Sequence, residues 1–244
     1  MNTTPANGTA SVDGVTRLAD YRPPVWRVAR VELVFDLDID ATVVDAKLAL
    51  CRDPQRSEPL HLDGENLQLL ELRLDGRVLT ASEYRQDEHG LTVPGARDDC
   101  TLETRVRIEP ANNTALSGLY LSGSRECGFL LTQCEAQGFR RITYFPDRPD
   151  VLASYDVTLR ADRARFPVLL AGGDESGSGQ IEDGRHWARF VDSHPKPSYL
   201  FALVAGHLEK IERPYRTADG RDVALRVWAE ADAIDRCQYA LDAL

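Results

Sequence analysis

The sequence predicts an all-β protein, and three observations support this prediction. Short segments with period-two alternation of apolar and polar residues recur along the chain, and Gly, Pro and Asp separate them. The clearest segment, "RVELVFDLDID", places Val31, Leu33 and Phe35 on one face and acidic residues on the other. Such alternation is typical of a strand with one buried face. No helical stripe of apolar residues occurs in the first half of the chain.

The remaining strands of the first half follow the first at hairpin distances. "TVVDAKLALCR" comes directly after it, and "NLQLLELRLDGRVLT" carries Asp75-Gly76 between two apolar runs. An Asp-Gly pair in this position is a strong signal for a two-residue hairpin. "GLTVPG" and "CTLETRVRIEP" continue the alternation, the latter with Leu102 and Ile108 on its apolar face. We therefore predict a series of antiparallel hairpins.

The second half repeats short strands in "SYDVTLRA", "RFPVLLAGG", "HWARFVDS" and "YLFALVAGHLEKI". Between two of them lies "AGGDESGSGQIEDG", which we predict to be a polar Gly/Ser hairpin loop in solvent. It lacks the Gly-Lys-Ser/Thr ending and the following helix of a phosphate-binding loop. Its acidic residues also argue against a phosphate ligand.

The end of the chain changes from strand to helix. "RPYRTADGRDVALRVWAE" predicts a strand, a turn at Asp219-Gly220 and a second strand. "DAIDRCQYALDAL" then has helical periodicity through Ile234, Tyr239 and Leu241, with Asp232 as the expected N-cap. The sequence ends about two turns into this pattern. We therefore expect the 244 residues to be a fragment of a longer chain.

Composition and charge narrow the class of protein. The chain is 43% hydrophobic and 28% charged, with a formal net charge of −10, which repels nucleic acid and anionic membrane surfaces. No run approaches the roughly 18 apolar residues of a membrane span, and the polar residues 1–20, predicted to be a mobile leader, do not resemble an export signal. An odd number of cysteines without Cys-x-x-Cys spacing predicts reduced thiols. We therefore expect a cytoplasmic protein. The cysteines are Cys51, Cys100, Cys127, Cys134 and Cys237.

Complete catalytic motifs are missing from the sequence. The five histidines never form H-E-x-x-H, and neither a G-x-S-x-G elbow nor a Walker loop nor a strand-linked G-x-G-x-x-G occurs. His186, next to Trp187 on a predicted strand, is interpreted as structural. Asp63 and Glu65 flank a glycine in a predicted turn and are a weak candidate for paired carboxylates. The chain is predicted to contain no metal site.

The most polar run, "LTQCEAQGFRRITYFPDRPDV" from Leu131 to Val151, contains the best candidate site. In an extended chain Gln133 and Glu135 point to the same face, whereas Cys134 points to the other. A carboxylate beside a carboxamide can receive an amine, because the carboxylate supplies charge and the amide oxygen accepts an N–H. The alternative is that both residues only decorate a solvent-facing strand. Spacing alone favours this alternative.

The rest of this run has a structural interpretation. Phe139, Tyr144 and Phe145 are expected in the core or in a pocket wall. Asp147 and Asp150 are expected either to accept backbone N–H groups in the turn or to pair with nearby arginines. Such a network would give Glu135 a rigid platform. The arginines are Arg140, Arg141 and Arg148.

Three stretches carry a family resemblance. "NTALSGLYLSG", "TQCEAQGFRRITYFPDRPDVLASY" and "HPKPSYLFALVAG" resemble, in this order, the amino-terminal domain of bacterial aminopeptidase N, a family of zinc aminopeptidases of the H-E-x-x-H (gluzincin) class. The resemblance spans about Tyr21 to Leu244. It implies a β-sandwich-like, saddle-shaped domain over residues 21–207. Residues 208–244 would then begin a thermolysin-like catalytic domain with its first strands and the start of a helix.

The resemblance also implies a function. Gln133 would line the pocket for the first side chain of a peptide substrate, and Glu135 would bind the free α-amino group. The zinc ligands, the G-A-M-E-N loop and the catalytic tyrosine of the family are absent from the sequence, so the chain alone is expected to bind no zinc and to cleave nothing. Its partners would be peptides and its own catalytic domain. The alternative is a stand-alone β-sandwich binding or scaffold module, which the downstream coding sequence would distinguish.

Overall fold

The computed structural model describes residues 17–244. The predicted mobile leader, residues 1–20, lies outside the described residues except for its last four positions, where Leu18–Asp20 form a 3₁₀ turn. About half of the chain is strand and less than a tenth is helical. The all-β prediction is therefore confirmed.

The strands of the described residues are short to medium in length. They are β1 (Trp26–Asp36), β2 (Thr42–Arg52), β3 (Leu60–Asp63), β4 (Gln68–Leu74), β5 (Arg77–Val78), β6 (Arg85–Gln86), β7 (Gly90–Val93), β8 (Asp99–Ile108), β9 (Gly118–Ser122), β10 (Phe129–Gln133), β11 (Leu152–Asp162), β12 (Val168–Ala171), β13 (Asp174–Gln180), β14 (Arg185–Pro197), β15 (Leu203–Gly206), β16 (Glu209–Arg216) and β17 (Asp222–Ala229). The helical elements are α1 (Gln238–Ala243) and the 3₁₀ turns Leu18–Asp20, Pro110–Asn112, Phe139–Arg141, Ser198–Leu200 and Ile234–Arg236.

An eight-stranded sheet forms the largest layer, in the order β13-β14-β11-β1-β2-β8-β4-β5. Its pairs are antiparallel except β1 with β11, where Val31 lies opposite Tyr155 in a parallel register. Val31, Leu33 and Phe35 are all buried, as the alternation predicts. The other sheets are β12-β15-β10-β9, β3-β7-β6 and β16-β17.

The eight-, four- and three-stranded sheets share one hydrophobic cluster. At its centre, the ring of Phe139 makes edge contacts with Phe145 at 5.0 Å and with Phe201 at 5.2 Å between centroids. Tyr144 is also buried. The core role predicted for the aromatic residues of the polar run is therefore confirmed. No helix among residues 17–244 has the length and apolar character needed to cross a bilayer.

The hairpin predicted at Asp75-Gly76 is present between β4 and β5. Both residues have positive φ, 50° and 79°, and Leu74 pairs with Arg77 across the turn. Two consecutive positive φ values suit a two-residue turn whose twist matches that of the strands. The local sequence signal was therefore sufficient here.

The loop predicted for "AGGDESGSGQIEDG" is wrong over half of its length. Asp174–Gln180 form β13, the edge strand that pairs with β14. The indole of Trp187 lies over this strand, so that a Cβ added at Gly177 or Gly179 would be only 3.2 or 3.0 Å from it. The strand propensity of these glycines is low, but a large aromatic side chain on the neighbouring strand covers them. The pairing with β14 also satisfies the hydrogen bonds of their backbone.

The C-terminal segment is a hairpin followed by a helix, as predicted, but the helix begins late. Ile234–Arg236 form a 3₁₀ turn, and α1 begins only at Gln238. The predicted cap at Asp232 is wrong, because Ala233 is the N-cap of the 3₁₀ turn and Cys237 is the N-cap of α1, both without a capping side-chain hydrogen bond. Ile234 and Leu241 are buried, and the turn and helix that carry them pack against β16 and β17, outside the main hydrophobic cluster. The domain boundary at residues 207/208 stays a prediction.

Candidate functional site

The two predicted site residues lie where β10 ends. Gln133, the last residue of the strand, pairs with Gly118 on β9. The chain then turns, and the N–H of Gly138 donates to the carbonyl oxygen of Cys134 at 2.7 Å. The expectation that Glu135 continues an extended strand is therefore wrong. It lies in the turn and is joined to Ala136 by a cis peptide bond.

The predicted sidedness is nevertheless present. Gln133 and Glu135 are exposed, whereas Cys134 between them is 2% exposed. The side-chain amide of Gln133 donates to the backbone carbonyl of Glu135 at 3.4 Å, so the structure brings the two residues together. None of the ion pairs among residues 17–244 includes Glu135. Its carboxylate is thus available to a cation from solvent.

A buried ion pair follows the turn. Nε of Arg140 lies 3.1 Å from Oδ2 of Asp147, and the backbone N–H of Arg140 donates to the same oxygen at 3.2 Å. Asp147 is only 1% exposed. The prediction that this run contains arginine–aspartate pairs is confirmed by this contact. A buried carboxylate needs such donors to offset the loss of hydration.

The end of β3 completes this network. Oδ2 of Asp63 accepts the backbone N–H of Asp147 at 2.9 Å, and Oε2 of Glu65 lies 2.6 Å from Nη2 of Arg141. The two acidic residues that formed a weak catalytic candidate are therefore bound to the polar run instead. Local spacing carried no signal for these pairs, because about 80 positions separate the partners.

Ser198 is a contributor that sequence reasoning missed. Its hydroxyl, in the 3₁₀ turn Ser198–Leu200, donates to Oδ1 of Asp147 at 2.5 Å and is 1% exposed. The residue lies within "HPKPSYLFALVAG", one of the stretches that carry the resemblance, which was the available signal. We call Asp63, Glu65, Arg140, Arg141, Asp147 and Ser198 the brace.

A second, more exposed ion pair lies next to the brace. Nη2 of Arg148 is 2.7 Å from Oδ2 of Asp150 and also donates to the carbonyl oxygen of Arg22 at 3.0 Å. The Arg148 guanidinium lowers the pKa of Asp150. The hydroxyl of Tyr21 donates to the same carboxylate at 3.1 Å, which raises the pKa of this tyrosine. This pair joins the start of the described chain to the loop that follows Asp147.

The thiol between the two site residues is chemically quiet. Burial, with a smaller contribution from the negative charge of Asp147, raises the pKa of Cys134 to about 12. A thiol with this pKa stays protonated at neutral pH and is a weak nucleophile. Cys134 therefore has a packing role under the turn, and the polar groups available to a ligand are those of Gln133 and Glu135.

The pair forms one wall of a site and encloses no cavity by itself. A surface cavity of about 380 Å³ lies nearby, lined in part by Asn66, Arg107, Asn113 and Arg141, but neither Gln133 nor Glu135 contributes to it. Its arginines already have carboxylate partners in Glu109 and Glu65. The exposed pair is therefore the better candidate for ligand binding.

A metal ion finds no set of ligands in the described part of the chain. Across residues 17–244, no three His, Cys, Asp or Glu side chains come together in a group that could hold one. The residues present do not fit a zinc centre.

The family model described as Peptidase M1 N-terminal domain matches residues 32–200. The chain belongs to this family. The match includes Gln133, Glu135 and every residue of the brace. The resemblance to zinc aminopeptidases drawn from the three stretches is therefore confirmed at the level of the M1 N-terminal domain.

This M1 N-terminal domain is similar to curated bacterial proteins along most of its length. It is 50% identical over 227 residues to aminopeptidase N of Caulobacter vibrioides, covering 93% of the chain and 26% of that protein. It is 41% identical over 225 residues to aminopeptidase N of Escherichia coli K12, covering 92% and 25%. The chain thus spans about a quarter of the length of these relatives.

Solved structures support the same placement of the M1 N-terminal domain. The fold matches Legionella pneumophila aminopeptidase A, solved in complex with aspartic acid, with a TM-score of 0.84 and 32% identity over 92% of this chain and 26% of that one. Native yeast LTA4 hydrolase matches with a TM-score of 0.70 at 18% identity, covering 89% of this chain and 33% of that one, and this match shows the fold alone.

Proposed function

We propose that this chain is the substrate-anchoring amino-terminal domain of a zinc aminopeptidase that removes N-terminal residues from peptides. The observation that carries the proposal is an exposed Gln133–Glu135 pair, next to a brace centred on the buried Asp147, within an M1 N-terminal domain. The names of the bacterial relatives, aminopeptidase N, support the activity.

Glu135 is proposed to bind the free α-ammonium group of the peptide. At an effective dielectric of about 20, a carboxylate and an ammonium about 4 Å apart attract each other by roughly 4 kcal/mol before the cost of desolvation. Holding the ammonium fixes the distance to the first peptide bond, so that this bond and no later one meets the reacting groups. The role of Glu135 is therefore positioning.

Gln133 is proposed to line the pocket for the first side chain of the substrate. Its amide nitrogen already donates to the carbonyl of Glu135, which leaves the amide oxygen to accept a hydrogen bond from the ligand. The same hydrogen bond couples the side chain of Gln133 to the backbone that carries the ammonium receptor.

Zinc is proposed to act in the full-length enzyme with ligands outside this chain, where it would supply the chemistry of bond cleavage. The 244-residue chain is accordingly proposed to be inactive alone. Elemental analysis of the purified chain is expected to find less than one zinc per molecule, and an aminoacyl-amide assay is expected to find no hydrolysis. Stoichiometric zinc or turnover would contradict this part of the proposal.

The decisive experiment is Glu135→Gln and Glu135→Ala in the longer protein that contains the downstream sequence. We expect kcat/KM for a substrate with a free N-terminus to fall by about 10- to 100-fold, because a hydrogen bond to a charged group contributes roughly 1.5–3 kcal/mol. The control is Gln137→Ala, an exposed neighbour in the same turn, which should keep parent kinetics.

Unchanged kinetics in both Glu135 variants would sink the assignment and favour the stand-alone binding module. The coding sequence provides a separate check: continuation into H-E-x-x-H supports the enzyme, whereas its absence favours the module.

We also propose a cytoplasmic location, supported by the charge and the unpaired cysteine spacing of the sequence. Fractionation of cells that express the longer protein would detect it in the cytosolic fraction. Recovery with secreted proteins would reject this location.

A further inference from the structure

We infer that Asp147 is a positioning residue for the Gln133–Glu135 pair, because its buried carboxylate fixes the turn that carries Glu135. The inference deepens the proposed function and rests on it. It concerns a residue that has no direct contact with a ligand in the proposal and acts through the backbone instead.

The first step of the argument is that Asp147 joins three segments. Its carboxylate accepts the backbone N–H and Nε–H of Arg140 and the hydroxyl of Ser198, 51 positions away. Its own N–H donates to Asp63, 84 positions away. Nη2 of Arg140 also donates to the carbonyl oxygen of Asp147 at 3.1 Å. Both carboxylate oxygens are therefore satisfied by fixed donors in a site closed to solvent.

The second step is the short path from Asp147 to Glu135. Arg140 lies in the 3₁₀ turn Phe139–Arg141, which follows Gly138 directly. The N–H of Gly138 donates to the carbonyl of Cys134 at 2.7 Å, and a Cβ on Gly138 would lie 2.4 Å from the carbonyl oxygen of Gln133. The backbone directly before Glu135 is thus packed against Gly138, which precedes the segment that Asp147 holds. We therefore expect a displacement of Arg140 to shift the position of Glu135.

The third step is a contrast within the same loop. Asp150 also pairs with an arginine, Arg148, but this pair is partly exposed and contacts Tyr21 and the backbone of Arg22 instead of the turn. Two aspartates three positions apart therefore differ in what they hold. This difference provides a matched control.

The test is Asp147→Asn in the full-length enzyme. Asparagine keeps the size of the side chain but removes the charge and turns one acceptor into a donor that faces Arg140 or Ser198. We expect KM for an aminoacyl substrate to rise about tenfold with kcat within about twofold of the parent, because the ammonium receptor is misplaced while the distant chemistry is intact. Asp150→Asn should leave KM unchanged.

A double-mutant cycle separates positioning from general destabilisation. If Asp147 acts through Glu135, then Asp147→Asn combined with Glu135→Gln loses no more kcat/KM than Glu135→Gln alone. Losses that multiply in the double variant, or an unchanged KM in a folded Asp147→Asn protein, would overturn the inference. If Asp147→Asn fails to fold, the Ser198→Ala variant provides the test. A KM increase of about threefold would support the inference, and a KM equal to that of the parent would contradict it. A Glu135→Gln variant with the kinetics of the parent would instead reject the proposed function itself.

Discussion

Several arginine–carboxylate pairs join neighbouring strands of a sheet. Asp156 on β11 is the clearest example, because it receives Arg30 from β1 and Arg189 from β14. Arg189 binds it through two nitrogens, Nε at 2.8 Å and Nη2 at 2.6 Å. The Arg189 guanidinium, together with Arg30, lowers the pKa of Asp156. This residue therefore ties three adjacent strands together in its ionised form.

Asp156→Asn should change the acid limb of the stability curve. Because the folded pKa lies below the unfolded value of about 3.9, the stabilisation is complete above that value and is lost as the pH falls through the folded pKa. We expect the variant to be less stable by about 1 kcal/mol at pH 7, a modest effect because both arginines are half-exposed. The difference should shrink below pH 4. Urea unfolding at pH 7 and pH 3 measures both values.

A variant that loses the same stability at pH 3 as at pH 7 would contradict this assignment. Glu175→Gln, an exposed acidic residue on the edge strand β13, is the control and should show no difference at either pH.

At this scale the sequence predicted contacts between near neighbours and missed those between distant ones. The inward side chain of Cys134 followed from alternation, and the mixture of arginines and aspartates in the polar run predicted pairing without identifying which partners would meet. Asp63 and Ser198 could not be assigned to Asp147, since only the assembled sheets bring them together. Chemical type alone does not identify which distant partner a carboxylate will find.

Among the elements, strands were predictable wherever alternation and turn residues agreed, as in β1, β2 and β8. Strand β13 was missed because its stability comes from the ladder with β14 and from Trp187, neither of which is visible in "DESGSGQ". The start of α1 was missed because tertiary packing of Ile234 and Leu241 sets it. The errors therefore lie where neighbouring elements override local propensity.

The turn after β10 depends on the absence of a side chain at Gly138. A Cβ there would meet the carbonyl oxygen of Gln133 at 2.4 Å and the backbone N of Gly118 at 2.9 Å, and these are backbone atoms that cannot rotate away. We expect Gly138→Ala to destabilise the protein by about 1–3 kcal/mol. Thermal unfolding provides the measurement.

Gly95→Ala is the matched control, because nothing lies within 4 Å of its Cβ position. Its unfolding temperature should equal or slightly exceed that of the parent, as expected for a glycine without steric constraint. Equal unfolding temperatures for the two variants would show that the close approach at Gly138 is relaxed in solution.

At the scale of the whole molecule, residues 17–244 contain one main hydrophobic cluster, and Ile234 and Leu241 are buried outside it. The main cluster joins the eight-, four- and three-stranded sheets. The hairpin β16-β17 packs instead with the 3₁₀ turn Ile234–Arg236 and α1, and most of its residues are exposed or half-buried. The family match covers most of the main cluster and ends at residue 200, before β16 begins.

We expect backbone amides of β16 and β17 to exchange with solvent faster than those of β1, β2 and β11. Local opening costs less free energy where few apolar contacts hold an element. Hydrogen–deuterium exchange followed by mass spectrometry measures these exchange rates. Strand β4, second from one edge of the eight-stranded sheet, is the comparison strand. Protection of β16-β17 equal to that of β1 would contradict the predicted boundary at residues 207/208.

The parallel pairing of β1 with β11 also determines when this domain can fold during synthesis. The hydroxyl of Ser154 in β11 donates to the carbonyl oxygen of Ala29 in β1, 125 positions earlier, so the centre of the large sheet has a high contact order. Such pairings are slow because a long loop must close before the contacts stabilise it. Strand β1 therefore leaves the ribosome long before its parallel neighbour exists. Until then the edge of β1 that pairs with β11 stays open and only β2 pairs with this strand, a state that is prone to aggregation.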